Sequence, residues 1–201
     1  MDRYLELAKE DFKDESLGWS KVCEVSKLDE GYELELYKRP IDKQSGAVML
    51  RGKIVYKNVS QAVYMESMAQ GPPGENFKER RVLVDTPDEK IIYSRMSMGK
   101  FMSDRDQVIR KLNTPQPDGS ILVTVENVDH EDAPEVPGVV RMQMFKAVRV
   151  EQVGSDIHLT DFSSMDMKGY FPMRLMNMMI GSMMPKMLKT QRKKLDELMK
   201  K

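Results

Sequence analysis

Cysteine is nearly absent from this 201-residue chain. The single residue, Cys23, excludes an internal disulfide, and a reducing compartment is the expected setting. Histidine is scarce too: His130 and His158 do not cluster with Cys23 as metal ligands would, so neither a metal nor a cofactor is expected. No stretch of about 18 uncharged apolar residues occurs, and no segment reads as a membrane-spanning helix. Met1 to Glu15 is charged throughout, without the apolar centre of a secretory signal or the Arg-rich pattern of a transit peptide. A charge excess is missing as well. With 32 basic and 32 acidic residues, the chain has no global field to attract nucleic acid. Repeats and linkers are not found, and this length suits one domain over residues 1–201 better than two small ones.

What is present is a regular succession of short elements. Tyr4, Leu5, Leu7, Ala8 and Phe12 recur at helical spacing among charges, which predicts an amphipathic helix over 2–14. Strand-like runs follow at Trp19–Lys27, Tyr32–Arg39 and Ala47–Tyr56, separated by Asp29, Glu30, Gly31 and by Ser45, Gly46. Alternation of Tyr32, Leu34 and Leu36 with Glu33 and Glu35 predicts an antiparallel meander with one wet face. Asn58 or Ser60 can cap a helix to about Ala69, ended by Gly71, Pro72, Pro73 and Gly74. Six further strands are expected at Arg80–Asp85, Lys90–Met98, Gln107–Asn113, Ser120–Val128, Val139–Gln152 and Asp156–Met167. Pro172 then suits the first turn of a final helix reaching about Lys200. Without βαβ alternation this is an α+β chain: a curved antiparallel nine-stranded sheet, closed by a long C-terminal helix in the helix-grip arrangement.

Methionine is the compositional outlier, with 19 residues, eight of them after residue 170. Between Met173 and Leu188 apolar residues occupy nearly every side of the helix, where a helix resting on a sheet and otherwise facing water would show a narrower stripe. A Met-rich apolar helix can be plain core. It can also cover a variable ligand, because the unbranched thioether adapts to irregular shapes. Pro185 deprives the Gly181 carbonyl of its helical partner, so a kink or flexible point is expected there. From Phe171 onward eight basic residues stand against two acidic ones. Lys186, Lys189, Arg192 and Lys193 then suit either a solvated helix end or contact with an anionic membrane surface.

Three segments carry a family resemblance. Ser164–Pro172, reading SMDMKGYFP, resembles the Asp, any residue, Lys or Gly, Gly, aromatic, any residue, Pro pattern of the START domain, the steroidogenic acute regulatory-related lipid transfer family. Asp104-Arg105-Asp106 before the strand Gln107–Arg110 resembles the family's Arg-Asp-Phe-Val motif, with Gln107 in place of the aromatic. Ala133–Arg141 resembles the loop entering the eighth strand, and Pro185 stands where the family often has a proline. A Trp-Asp pair common in the family between Ser67 and Arg80 is not found.

The resemblance implies a cavity between sheet and terminal helix that holds a sterol or phospholipid, with no catalysis. It also implies a cytoplasmic protein that touches membranes transiently, and a monomer is expected. Lining positions carried over from the family fall at Met183 and Met187 on the helix and Met167 on the last strand. Helical spacing adds Met179 and Leu175, and period two adds Met165. Sterol-binding members carry an acid and an arginine on two neighbouring strands. This chain has Ile92 and Lys111 at those positions, with Met96 and Met98 on the face of Ile92. Met142 and Met144 of the next-to-last strand complete the expected lining. Lys111 suits a phosphate head group, or plain solvent at a strand end. Asp104, Arg105 and Asp106 read as an ion-paired turn rather than a catalytic set, and His130 and His158 lack a recognisable nucleophile beside them. An enzyme of the helix-grip superfamily, a cyclase or hydrolase with a hydrophobic substrate, is the alternative to a carrier, and a sensor whose groove binds a partner is a third reading.

Overall fold

The structure, a computed structural model, describes residues 15–41, 47–69, 77–169 and 171–200, with the side chains of 15, 173–176 and 179 outside the description. The helix expected over 2–14 and the turns expected at Ser45–Gly46 and Gly71–Gly74 lie outside the described residues. A single 3-10 turn, Glu15–Leu17, leads into β1 (Ser20–Lys27), β2 (Tyr32–Pro40) and β3 (Val48–Tyr56). After helix α1 (Gln61–Ala69) come β4 (Phe77–Asp85), β5 (Glu89–Met96), β6 (Arg105–Pro115), β7 (Ile121–Asn127), β8 (Val140–Arg141), β9 (Gln143–Val153) and β10 (Asp156–Asp166). Helix α2 (Met173–Leu198) ends the fold.

The strands form one sheet in the order β1-β2-β3-β10-β9-β7-β6-β5-β4. Every neighbouring pair on that path is antiparallel, and β1 and β4 remain as edges, so the sheet does not close on itself. Two meanders enter from opposite edges, and the hairpin β9–β10 joins them in the middle. The eighth expected strand, Val139–Gln152, is split in two, which makes ten. At Met142 the chain leaves the ladder, its N–H donates to the Asp106 carbonyl at 2.9 Å, and Val140–Arg141 pair in parallel with Arg105–Asp106. Ser60 caps α1, its Oγ accepting the Val63 N–H at 3.3 Å.

Period-two alternation sorts the sheet into two faces. Inward lie Leu34, Leu36, Ile54, Tyr56, Val148 and Val150, all buried against α1 and α2. Outward, Tyr93, Val108 and Ala133 form a smaller cluster beneath the Asp129–Gly138 loop. A helix of 26 residues spans about 39 Å, and α2 runs through Pro185 without interruption. Its sheet-facing stripe is Ile180, Met184, Leu188 and Leu195, at near-heptad spacing. Each fully buried member stabilises the fold by roughly 1.5–3 kcal/mol. Gly181, where a flexible point is expected, packs on β1. A β-carbon there would sit 3.6 Å from both the Val22 methyl and the Val22 carbonyl, ordinary van der Waals contact, so α2 lies directly against β1 at this point.

Candidate ligand-binding site

The motif residues meet where β10 turns into α2. Arg105, almost fully buried, donates from Nε to the Met167 carbonyl at 3.1 Å and from a terminal nitrogen to the Lys168 carbonyl at 3.1 Å. Its guanidinium also lies 5.5 Å from the Phe171 ring centre. Burial depresses the Arg105 pKa below its ordinary value, and the carbonyl ring around it carries the charge. The turn it holds is tight, with Lys168 at φ 50° and Gly169 at φ 59°. Asp106 receives Arg141 in a two-point pair at 2.8 and 3.1 Å, and Arg141 reaches on to the carbonyls of Ala133 and Pro134. Asp104 accepts Lys78 and Arg95, whose hydrogen bonds hold its carboxyl below the usual carboxylate range. The three segments that were separate in sequence are therefore one polar clamp under the first turn of α2. Their role is to fix the helix start, in line with the ion-paired turn read from the sequence.

Against this clamp sits a methionine cluster. Met142 and Met167 are buried, and Met96, Met98, Met165 and Phe171 pack on them half-buried. Five expected lining residues thus come together. One strand register further, a row crosses the inward face: Ile92 opposite Ile109, Ile109 opposite Asn127, and Met144 opposite Met165. Asn127 joins its two sides by accepting the Met144 N–H, while its amide donates to the Met142 carbonyl at 3.1 Å. Ile92 is buried, but Ile109, Met144 and Met165 keep accessible surface although they face inward. Under the C-terminal half of α2 the matching positions Val148, Val150, Ile157 and Leu159 keep almost none. The inward face is filled in one half and left open in the other.

Polar groups are spaced across the open half. Gln107 donates to Ser94 Oγ at 3.1 Å, and its buried Oε1 has no partner among the described residues. Lys111 points inward from β6, and its Nζ donates to the Met68 carbonyl at 3.4 Å. Burial, and then the neighbouring Lys90, lower its pKa. Lys146 of β9 pairs with Asp161 of β10 at 2.7 Å. Arg95 and Arg110 instead face outward, on Asp104 and Glu126.

The helix corrects the expected lining. Met183 and Met187, placed in the cavity by the resemblance, are 43% and 56% exposed and lie off the stripe of Ile180, Met184 and Leu188. The side chains of Leu175 and Met179 lie outside the described ones. Of the basic residues expected at a membrane, Arg192 is committed to the fold. It donates to the carbonyls of Gly31 and Lys57 and pairs with Asp196 at 2.8 Å. Gly31, at φ 78°, is required twice, because a β-carbon would also lie 2.9 Å from the Arg192 guanidinium carbon. Lys189 pairs with Glu30 at 3.0 Å, whereas Lys186 and Lys193 are exposed. A polar cleft of about 460 Å³ lies over this anchor, lined by Tyr32, Lys57, Lys189 and Arg192, away from the methionine cluster. The sequence reading missed Phe101. It is 99% exposed at the tip of the β5–β6 loop, whose Met98 reaches the methionine cluster beside Phe171.

Comparison with known proteins agrees with this geometry. The START domain model matches residues 13–201. The human StAR-related lipid transfer protein 5 superposes with a TM-score of 0.74 at 18% identity, over 98% of this chain and 92% of that one. Human STARD10 gives 0.76 at 13% identity, over 96% and 77%. A STAR-related lipid transfer protein fragment from Xanthomonas axonopodis gives 0.69 at 21% identity, over 89% and 99%. At these identities the structural likeness speaks for the fold. No curated protein matches the sequence.

Proposed function

The chain belongs to the START-domain family, and from that premise we propose that it is a cytoplasmic, membrane-peripheral carrier that binds and transfers one lipid, a sterol or phospholipid. The observation that carries this reading is the half-open inward face lined by Met96, Met98, Met142, Met144, Met165 and Met167. An apolar tail placed there gains about 0.8 kcal/mol per buried methylene. Ile92 and Lys111 share that face. A lining dominated by thioethers supports a carrier over the cyclase or hydrolase reading, because it offers adaptable packing and few groups that move protons.

Entry requires the N-terminal half of α2 to move from the sheet, and the molecular surface there suits a membrane. Phe101, Met178, Met183 and Met187 are exposed, with Lys100 and Lys186 among them. Met183 and Met187 stand one turn apart on α2, and exposed apolar side chains grouped in this way mark an interaction surface, while lysines on the same helix suit anionic lipid. Met183 and Met187 thereby pass from ligand lining to membrane contact. Native mass spectrometry of the protein purified from cells tests the reading. A bound lipid is expected. If none co-purifies, and labelled sterol and phospholipid both fail to bind, the carrier reading is wrong.

A further inference from the structure

The open half of the inward face carries an unequal set of charges. Lys111 of β6 lies opposite Val125 of β7, Val125 lies opposite Lys146 of β9, and Lys146 lies opposite Ser163 of β10. These four residues therefore form one row on one face. Adjacent strands are about 4.8 Å apart, which puts the two lysine backbones about 10 Å from each other. Their long side chains can converge over Val125. Among the described residues the one carboxylate paired with either lysine is Asp161, two residues along β10, which holds Lys146, while Lys111 meets the Met68 carbonyl at 3.4 Å.

Two more observations point to a ligand. Lys146 faces inward in the middle of the sheet, yet its side chain is 34% accessible, so open volume stands above it. Two residues from Lys111 on the same face, opposite Val123, Asn113 buries its Oδ1 without a partner among the described residues. An unpaired buried acceptor is costly unless a ligand donor satisfies it. Excess positive charge, an orphan acceptor and an accessible apolar surround together describe a seat for an anion that also carries a hydroxyl.

We infer that Lys111 and Lys146 hold the anionic head group of the bound lipid, with Asn113 accepting from a head-group hydroxyl and the acyl chains lying along the methionine cluster. This rests on the carrier reading and narrows its ligand to a phosphate-bearing lipid. Phosphate oxygens displace the weak Lys111 to Met68 contact and share Lys146 with Asp161. Ser163, next in the row, stands beside the same oxygens. Sterol, which has no anionic group, leaves both lysines as they are.

The test is extraction of labelled lipid from neutral vesicles by the full chain. Dioleoylphosphatidylglycerol, oleate, dioleoylglycerol and inorganic phosphate are compared, inorganic phosphate as a competitor. Phosphatidylglycerol is expected to bind at least tenfold more tightly than dioleoylglycerol and not to be displaced by inorganic phosphate. Lys111→Met should weaken phosphatidylglycerol about tenfold and leave dioleoylglycerol within twofold. Because Lys146→Met alone strands Asp161, the paired variant Lys146→Met with Asp161→Asn is used, and the same selective loss is expected. Equal affinity for charged and neutral lipid, or an equal loss of both in Lys111→Met, overturns the inference while leaving the carrier reading intact. Oleate bound as well as phosphatidylglycerol overturns the phosphate and Asn113 assignment. Displacement by inorganic phosphate alone shows an ion site rather than a lipid seat. Failure of every lipid to bind overturns the carrier reading itself.

Discussion

The two halves of the terminal helix are held by different means. From Leu188 to Leu198, α2 buries Leu188, Leu195 and Leu198 and is tied by Arg192 to two carbonyls and by Gln191 and Lys194 to Ser67 at the end of α1. From Ile180 to Met187 it rests on Ile180, Met184 and the close approach at Gly181, while Met183 and Met187 face solvent. Pro185 stands near the boundary and removes one backbone hydrogen bond. A helix clamped at its start, tied along its C-terminal half and merely apposed between Ile180 and Met187 can lift that middle stretch off the sheet without unfolding it, which is the property a lid needs.

The sharpest way to break this comparison is to cut the anchored half. Leu195→Ala should lower stability by about 2–5 kcal/mol in urea unfolding, because it leaves a cavity at a fully buried site. Met187→Ala should stay within about 0.5 kcal/mol. Equal losses would mean that the halves are equally packed. Next in size is the membrane contact. Phe101→Glu combined with Met183→Glu should lower liposome affinity tenfold or more, since burying one phenyl ring gains roughly 1.5–3 kcal/mol, with the melting temperature unchanged. Arg192→Met should cost about 1–3 kcal/mol by leaving the Gly31 and Lys57 carbonyls without their charged donor. Hydrogen exchange should then quicken from Leu188 to Leu198 more than from Ile180 to Met187.

The smallest expected effect concerns Lys111. Burial lowers its pKa from the ordinary 10.5, so over the alkaline window below 10.5 the unfolded chain binds more protons than the folded one. Stability gains from this group as pH rises through that window. Lys111→Met should abolish that gain and raise the melting temperature at neutral pH by roughly 1–3 °C. A stabilising substitution that weakens binding of an anionic lipid separates a ligand group from a structural one.

Much of this was legible before the structure. Alternation and turn residues located each described strand to within a few residues, because an antiparallel sheet with one buried face writes period two into the chain. The split at Met142 was not legible. A parallel pairing with Arg105–Asp106, more than thirty residues away, leaves no local mark in a run that alternates on both sides of it. The inward face of α2 also escaped. Apolar residues surround its first half, so spacing alone cannot prefer Met184 over Met183. Phe101 carries no period, being a lone aromatic in a loop. Lys146 and Asp161 have no local mark in the sequence, and only the register puts them beside Val148 and Leu159 on the inner face. Asp104, Arg105 and Asp106 were placed correctly as an ion-paired turn, but that their partners include the start of α2 emerges only in three dimensions.

The lid itself is tested most directly by locking it. Val22→Cys with Gly181→Cys, in a chain where Cys23 is serine, places two thiols where a β-carbon at 181 already lies 3.6 Å from the Val22 side chain, within the reach of a disulfide. Lipid transfer between vesicles should stop when the pair is oxidised and resume on reduction. Transfer at the same rate in both states would show that the N-terminal half of α2 does not move from β1 to admit the ligand.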